Sequence, residues 1–277
     1  MNKIRTIVIE VFKWAYLLFF FLIAVLPLIW LILTSFKTEA EFNTAPLALP
    51  ALWQFENYIN AVSVANMHVL FMNSIIIATT ATLLNLFVTS LASFVISREE
   101  FAFRQSISNV IVAGVLMPIV AFMVPYLTII RNLGLYDTRM ALVITYAAIN
   151  IPISFFLIKS FMVNIPKDLE DAAIIDGCTF AQRYTKVVLP LSRSGLVTAG
   201  TLTFIWSWNE FIYALLLTSS SSVRTIQLGI SFFTTQFRSD YPSMYAAVVL
   251  TMIPSIIVYV FFHDKIISGL TAGAVKG

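Results

Sequence analysis

Long apolar stretches separated by short polar segments make up most of this chain. Each stretch is about as long as a helix that crosses a hydrocarbon core of about 30 Å, which requires about 20 residues. The pattern therefore predicts an all-α polytopic membrane protein with six transmembrane helices, forming a single transmembrane domain over residues 1–277. The predicted spans are residues 14–36, 68–96, 106–130, 140–163, 196–218 and 245–267.

The first apolar span follows Lys3, Arg5 and Lys13, as the apolar core of a secretory signal peptide follows basic residues. However, this apolar run is longer than a usual signal-peptide core, contains Pro27 and ends without a small-x-small cleavage site. We therefore predict that the first helix is retained in the membrane.

The distribution of basic residues predicts the orientation. With the N-terminus in the cytoplasm, most of the 17 lysines and arginines fall on the inner side. This places both termini and the loop 164–193 in the cytoplasm. The outer segments are then residues 37–67, a tight turn at 132–135, and residues 219–244. Pro46 and Pro50 predict an irregular start to the first of these.

The third outer segment is rich in serine and aromatic residues. It begins with the run Ser219 to Ser222, which is typical of a flexible segment. Its aromatic residues are Phe232, Phe233, Phe237 and Tyr241. Such a segment either packs back on the bundle or contacts a partner, and we predict contact with an extracellular binding protein.

The cytoplasmic loop 164–193 has the signals of a helix, a turn and a second helix. Pro166 suits a first helical turn, and the next acidic residues complement the positive end of the helix dipole. Gly177 predicts a left-handed helix end, and Thr179 with Gln182 predicts a capping box that opens the second helix. The acidic residues are Asp168, Glu170 and Asp171.

Ala172 and Ala173 give the first of these helices a smooth patch that another protein can approach closely. The alternative is an amphipathic helix that lies on the lipid headgroups. That alternative favours lysines on one face and large apolar residues on the other. The acidic start and the alanine pair instead favour a short helix inserted into a groove of a partner.

The composition excludes several classes of protein. With 59% hydrophobic and 11% charged residues, the chain differs from soluble domains, of which about 25% is charged. The basic residues are scattered, which argues against nucleic-acid binding. His68 and His263 have no ligand-like companions, so we expect no metal site. Cys178 is the single cysteine, which excludes an internal disulfide.

A GxxxxGK[ST] phosphate loop is absent from the sequence, so ATP-driven transport would need an ATPase on another chain.

The cytoplasmic loop carries a spaced motif that resembles the ATPase-coupling loop of maltose-type sugar permeases in bacterial ABC importers. The matching residues are Asp171, Ala172, Ala173, Asp176, Gly177, Leu189 and Pro190, with Val187 and Val188 before the last two. Asp171 stands where the family has glutamate, although Glu170 precedes it. Further matches run along nearly the whole chain and resemble the smaller permease of the pair. They include residues 34–37, 56–58, 73–74, 134–135, 208–211 and 272–277.

This resemblance implies a transport subunit, not an enzyme, which carries a sugar, chiefly an oligosaccharide, from a binding protein to the cytoplasm. It implies four kinds of partner: a second homologous permease, two copies of a cytoplasmic ABC ATPase, an extracellular sugar-binding protein and the lipid bilayer. It implies no cofactor on this chain, with ATP and Mg bound by the ATPase subunits. The location implied is the bacterial inner (plasma) membrane. The residues that would then form the contact with the ATPase are Glu170, Asp171, Ala172, Ala173, Asp176, Gly177, Leu189 and Pro190.

Glu210 is a carboxylate well inside an apolar span, where a charge is costly. It is interpreted either as a structural carboxylate bonded to neighbouring groups or as part of a substrate pathway. A proton relay would require a second buried acid or histidine in another span.

Polar residues recur at helical spacing on the second span, at Thr82, Asn85, Thr89 and Ser93. Helix packing through small polar groups is the simpler interpretation, and lining of a pathway is the alternative. Sugars pack on aromatic rings and bind amides through their hydroxyls. The resulting pathway candidates are Asn85, Tyr126, Tyr146, Asn150, Trp206, Asn209, Glu210 and Tyr213.

Two other functions remain as alternatives. An ion-coupled secondary transporter would have paired buried acids or broken helices in two related halves. A structural membrane protein would leave the cytoplasmic motif unexplained.

Pro118, Pro125 and Pro152 are predicted to kink their helices.

Overall fold

The computed structural model describes residues 2–64, 66–231 and 240–274, which form helices and connecting turns without a strand. The α-helices are α1 Asn2–Thr34, α2 Glu39–Thr44, α3 Glu56–Val64, α4 Met67–Arg98, α5 Arg104–Ala113, α6 Met123–Asn132, α7 Arg139–Ile149, α8 Ile151–Val163, α9 Asp168–Ile175, α10 Phe180–Gln182, α11 Leu189–Leu191, α12 Arg193–Asn209, α13 Ile212–Leu217, α14 Ile226–Ser231 and α15 Tyr241–Ala274. Two 3₁₀ turns, Gly114–Leu116 and Ile119–Phe122, connect α5 to α6, and a π-helical turn, Arg183–Val188, connects α10 to α11.

Three described helices are long and apolar enough to cross a membrane without a break, at Thr6–Thr34, Met67–Arg98 and Tyr241–Asp264. Three further pairs of helices meet the same requirement together but are bent. The bends are 103° between Arg104–Leu116 and Ile119–Asn132, 49° between Arg139–Ile149 and Ile151–Val163, and 75° between Phe180–Leu191 and Arg193–Asn209. Counted as one span each, the bent pairs bring the number of spans to six, as predicted, although the last pair includes residues 180–191 of the predicted cytoplasmic loop.

Proline explains two of these bends. Pro118 lies within the 103° break, and Pro152 lies in the first turn of α8 at the 49° break. A proline ring clashes with the preceding turn of a helix and has no N–H to donate, so neither proline can continue the helix before it. Pro125 was also predicted to kink its helix, and this was wrong. It lies in the first turn of α6, where the backbone N–H has no partner within the helix in any case.

The fifth predicted span, 196–218, is not one continuous helix. α12 ends at Asn209, the backbone of Glu210 is extended with a ψ of 132°, and α13 begins at Ile212. Periodicity alone could not show this interruption, because apolar residues continue on both sides of it.

The chain divides into two compact units, and the prediction of one domain over residues 1–277 stays a prediction. The first unit comprises residues 1–67 with 230–252, and the second comprises 68–229 with 253–277. In the first unit, Lys37 is buried and donates to the carbonyls of Ala45 and Pro46 at 2.9 and 2.7 Å. The Asn57 amide donates to the carbonyls of Ser35 and Lys37. These bonds fix the start of the first outer segment.

That start is more regular than its prolines predicted. Thr38 and Glu41 form a capping box, which opens the six-residue helix α2 before Pro46 is reached. The Glu41 carboxylate also accepts from the backbone N–H of Ala51, and the N–H groups of Thr38 and Ala51 hold its pKa below the usual value.

The serine run of the third outer segment is bonded to the outer turn. The Asp137 carboxylate accepts from the N–H groups of Ser219 and Ser220 at 2.8 and 2.9 Å and from the Ser220 hydroxyl. The hydroxyl and the two N–H groups keep the pKa of Asp137 below its usual value. The prediction of a flexible run therefore missed a tertiary bond. Phe232, Phe233 and Phe237 lie outside the described residues, while Tyr241 stacks on Phe42 with ring centres 5.2 Å apart.

Candidate functional site: the cytoplasmic loop and the polar cluster in the bundle

The first helix of the 164–193 loop, α9, has the predicted start and end. Acidic residues occupy its first turn. At its C-terminus, the N–H of Cys178 donates to the carbonyl of Ala173 at 2.9 Å and that of Gly177 to Ile174 at 3.0 Å. This is the bonding of a Schellman motif. Gly177 has a φ of +80°, which confirms the predicted left-handed conformation. Among the described residues, no atom lies within 4 Å of the position that a β-carbon would take, so a side chain there would strain the backbone without a clash with them.

The second helix of the loop begins with the predicted capping box. The N–H of Thr179 donates to the Gln182 side chain at 2.8 Å, and the N–H of Gln182 donates to the Thr179 hydroxyl at 3.3 Å. The π-helical turn that follows seats Val188 in a core cluster with Phe94, Leu157 and Met162. Leu189 is half-buried beyond it, and Pro190 is exposed. The loop is therefore anchored to the apolar interior of the second unit.

A buried charge cluster holds α9 against the end of α4. The Nε atom of Arg98 lies 2.8 Å from Oε1 of Glu170, and these two side chains are 3% and 5% exposed. Arg183 contacts Glu170 at 3.6 Å and Glu99 at 2.8 Å. Arg98 also donates to the carbonyls of Met162 and Ile165, at the end of α8 and just after it. One cluster thus joins α4, α8, α9 and the π turn.

Aromatic packing reinforces the same junction. Phe94 of α4 contacts the rings of Phe180 and Tyr184 at 5.0 and 5.2 Å between ring centres. The Tyr184 hydroxyl lies 2.7 Å from the Ser90 hydroxyl. Movement of the loop would therefore displace α4 as well.

The exposed side of α9 carries large apolar residues beside the acidic residues Asp168 and Asp171. Leu169, Ala172 and Ile174 are exposed, and Ile175 is 85% exposed, whereas Glu170 and Ala173 face inward and are buried. Large apolar side chains that project from a loop between spans indicate a contact surface for another protein. The predicted patch of two alanines is therefore one exposed alanine surrounded by larger apolar residues.

These positions refine the sequence prediction. Asp171, Asp176 and Gly177 are exposed, as a contact with an ATPase requires. Glu170 is directed into the chain, so its carboxylate positions the helix instead of meeting a partner. Sequence reasoning missed Leu169, Ile174 and Ile175, although Leu169 and Ile175 lie three residues before and after Ala172, as the helical repeat requires of neighbours on one face. It also missed Arg98 and Glu99, which no local pattern links to the loop.

Glu210 is a structural carboxylate in this fold. It is 9% exposed and accepts from the N–H of Tyr213 at 2.7 Å and the N–H of Ala214 at 3.1 Å. The Tyr146 hydroxyl donates to it at 2.6 Å. The carboxylate thus caps the free N–H groups at the start of α13 and joins that helix to α7.

Replacing Glu210 with glutamine is therefore expected to destabilise the chain by about 1–3 kcal/mol, because an amide has one acceptor oxygen for three donors. Thermal unfolding of the detergent-solubilised protein measures the loss. Glu56→Gln, at an exposed carboxylate, is the matched control and should unfold near the wild-type temperature. Equal unfolding temperatures for the two variants would contradict the capping role.

The polar positions of the second span are used for helix packing. Thr82, Asn85, Thr89 and Ser93 are all buried. The Thr82 and Thr89 hydroxyls donate to carbonyls one turn earlier in α4, and the Asn85 amide donates to the carbonyl of Ala147 at 2.9 Å. These bonds support the packing interpretation over a pathway lining.

The remaining pathway candidates fall into two groups. Tyr146, Asn150 and Tyr213 are buried and hydrogen-bonded within the bundle, Tyr213 to the carbonyl of Ile119 at 2.7 Å and Asn150 to that of Tyr146 at 2.9 Å. Tyr126 and Trp206 are partly exposed and Asn209 is exposed. Tyr126 and Trp206 rest on Tyr213 and Tyr146, with ring centres 5.4 and 5.6 Å apart. The first group supports the rings of Tyr126 and Trp206, whereas the Asn209 amide donates to the carbonyl of Ile205 and accepts from the Gln227 side chain.

The part of the chain that the structure describes contains no group of three or more His, Cys, Asp or Glu residues that could hold a metal ion. His263 is exposed and lies 3.1 Å from Asp264.

Residues 86–271 match the family described as the binding-protein-dependent transport system inner membrane component. A sulfoquinovosyl glycerol transport system permease protein of Agrobacterium fabrum is 37% identical over 252 residues, which cover 91% of this chain and 88% of that protein. A trehalose/maltose transport system permease protein of Thermococcus litoralis is 36% identical over 259 residues, which cover 92% and 93%. One solved structure, of a bacterial ABC transporter involved in the import of the acidic polysaccharide alginate, superimposes with a TM-score of 0.84 at 21% identity, covering 93% of this chain and 96% of that chain. The fold is therefore shared with a known ABC importer.

Proposed function

The chain belongs to the family of binding-protein-dependent transport system inner membrane components, and we propose that it is the subunit through which an ATP-driven importer moves oligosaccharides into the cytoplasm. Its relatives confirm the resemblance to maltose-type permeases of ABC importers. It is a transport component and not an enzyme, because ATP hydrolysis in this family belongs to a separate subunit.

The exposed apolar face of α9 is the observation that supports this proposal most directly. It carries Leu169, Ala172 and Ile175 outside the predicted spans. The same helix is held rigidly by the charge cluster beneath it. A force applied to this face by an ATPase would reach α4 through Arg98 and α12 through the π turn. Such transmission is the role of a coupling helix.

The partners proposed are those of a complete importer. Two copies of a cytoplasmic ATPase bind ATP and Mg, and one of them receives α9 in a groove. A second, homologous permease completes the pathway in the bilayer, and an extracellular binding protein delivers the sugar. Dependence on a binding protein is part of the family description.

Sugar transport is proposed because two relatives are described as permeases for trehalose/maltose and for sulfoquinovosyl glycerol. The available side chains suit that class. Tyr126 and Trp206 offer partly exposed rings, and a sugar hydroxyl would replace Gln227 as the partner of the exposed Asn209 amide. Rings can stack on the apolar faces of sugars while amides bind hydroxyl groups.

Ion-coupled transport has less support. The Glu210 carboxylate is fully engaged by two N–H groups and the Tyr146 hydroxyl. None of these donors is a second acid or a histidine that could pass on a proton. The relatives are binding-protein-dependent permeases and do not favour this alternative.

Both termini and the α9 loop are proposed to face the cytoplasm. Cysteine labelling of sealed spheroplasts with a membrane-impermeant maleimide tests this orientation. Ser221→Cys in a Cys178→Ser background is expected to react, since Ser221 is exposed on the outer side. The wild-type protein, whose single thiol is Cys178, should react only after the spheroplasts are permeabilised. The reverse pattern would overturn the orientation.

Purification of the complex tests the function itself. Solubilised from native membranes, the chain should retain an ATPase with a phosphate-binding loop. In proteoliposomes, the complex should accumulate a labelled oligosaccharide only with ATP and the binding protein present. Uptake driven by a proton gradient without ATP would replace the proposal with ion-coupled transport.

A further inference from the structure

An apolar groove with one basic end lies between α5 and α8. Its volume is about 770 Å³. The apolar part of its lining includes Ala113 and the larger residues Val112, Val115, Leu116, Ile153, Phe156 and Val163. Among these, Val115, Leu116, Phe156 and Val163 are exposed large hydrophobic residues. Both helices belong to predicted spans, so the open side of the groove can face hydrocarbon chains.

The other end of the groove is polar. Lys159 lies there with Ser108, and the amides of Asn109 and Asn164 are exposed beside them. The Lys159 ammonium donates to the Ser108 hydroxyl at 2.6 Å, and Ser108 is itself buried. These groups lie in the first turns of α5 and the last turns of α8. In the proposed orientation this is the cytoplasmic end.

The Lys159 ammonium is a cation without a carboxylate to neutralise it among the described residues. Within the described ranges, no carboxylate forms an ion pair with its nitrogen, whereas Arg98 and Arg183 are both paired. Its other contact is the face of Phe155, 5.9 Å from the ring centre. A lysine within an apolar span is costly and is found paired or facing a polar ligand. A singly charged anion would complete this site.

We propose that the groove binds one anionic phospholipid of the cytoplasmic leaflet, with its phosphodiester at Lys159 and an acyl chain along the apolar wall. Lys159, with the charge of Arg104 acting on it from the start of α5, provides the positive potential that a phosphodiester requires. The two amides and the serine hydroxyl supply further hydrogen-bond donors. Basic pockets between membrane helices on the cytoplasmic side bind anionic headgroups in this manner. The inference rests on the proposed orientation but not on the substrate or the ATPase.

Native mass spectrometry of the purified complex tests the proposal by titration with phosphatidylglycerol and with phosphatidylcholine. The wild type should retain phosphatidylglycerol in preference to phosphatidylcholine. Lys159→Gln should weaken that retention about fivefold, as expected for about 1 kcal/mol per basic residue near the headgroups. Lys13→Gln is the matched control, because Lys13 is an exposed lysine outside the groove, and it should retain the lipid as the wild type does.

A second variant separates the contribution of the acyl chain to lipid binding from that of the headgroup charge. Ala113 lines the groove and is exposed, so Ala113→Trp should fill the groove and displace the lipid with Lys159 intact. Equal retention of the two lipids by the wild type would overturn the proposal, as would displacement of the headgroup by millimolar inorganic phosphate. A photoreactive group at Val112 that captures the second permease instead of lipid would show a protein interface there. Lipid retention is measured without transport, so this proposal and the proposed function can fail independently.

Discussion

Replacing Ala172 with arginine is expected to abolish transport while the chain remains folded and inserted in the membrane. Ala172 lies at the centre of the exposed face of α9, between the larger side chains of Leu169 and Ile175. In a helix-in-groove contact, a small residue at that position lets the partner approach closely. An arginine would hold the surfaces apart and bring a charge into an apolar contact, and an unpaired buried charge costs several kcal/mol. A loss of that size corresponds to at least a hundredfold in affinity.

Three measurements on Ala172→Arg separate coupling from folding: sugar uptake, the amount of ATPase that copurifies, and the thermal unfolding temperature of the solubilised chain. The first two should fall sharply and the third should stay at the wild-type value. Ala172→Ser tests size, and Ala102→Arg tests the same substitution at an exposed alanine of another cytoplasmic segment. Both controls should transport. Normal uptake by Ala172→Arg would show that α9 is not the coupling element.

Local sequence signals predicted the parts of this loop that depend on neighbouring residues. The capping box of Thr179 and the left-handed Gly177 are fixed within four residues of chain, and both were correct. The number of spans also followed from length and polarity, although the fifth predicted span is interrupted at Glu210. The role of Glu170 did not, because its partner Arg98 is on another helix and the pairing exists only in the folded chain.

Inside the membrane, too, the sequence predicted local features but not those that depend on contacts between helices. Sequence placed Glu210 in an apolar span and correctly left a structural role open. The sequence could not show that the helix breaks there, since the break depends on a bond from Tyr146 and on the free N–H groups of α13. Pro125 was misjudged for a related reason. The effect of a proline depends on whether it opens a helix or interrupts one, and the 3₁₀ turn before α6 settles this.

Replacing Glu170 with leucine is expected to destabilise the chain by about 3–5 kcal/mol and to uncouple ATP hydrolysis from transport. The substitution leaves Arg98, which is 3% exposed, as a buried cation without its carboxylate, and removing one partner of a buried pair costs about this much. Arg183 keeps its contact with Glu99, so α9 should loosen at one end without detaching. The purified complex should therefore retain its ATPase but hydrolyse ATP with little uptake.

The double variant Arg98→Leu with Glu170→Leu provides the decisive comparison, because replacing both members of a buried pair with apolar residues is often neutral. Its unfolding temperature should recover towards that of the wild type, as measured by thermal unfolding of the solubilised chain. Glu10→Leu is the matched control. Its partner Lys13 is exposed, and an exposed ion pair contributes about 0–1 kcal/mol. If Glu170→Leu unfolds at the same temperature as Glu10→Leu and transports normally, the cluster beneath α9 does not position it. Recovery of stability without recovery of uptake would instead show that the charges themselves carry the movement of α9 to α4.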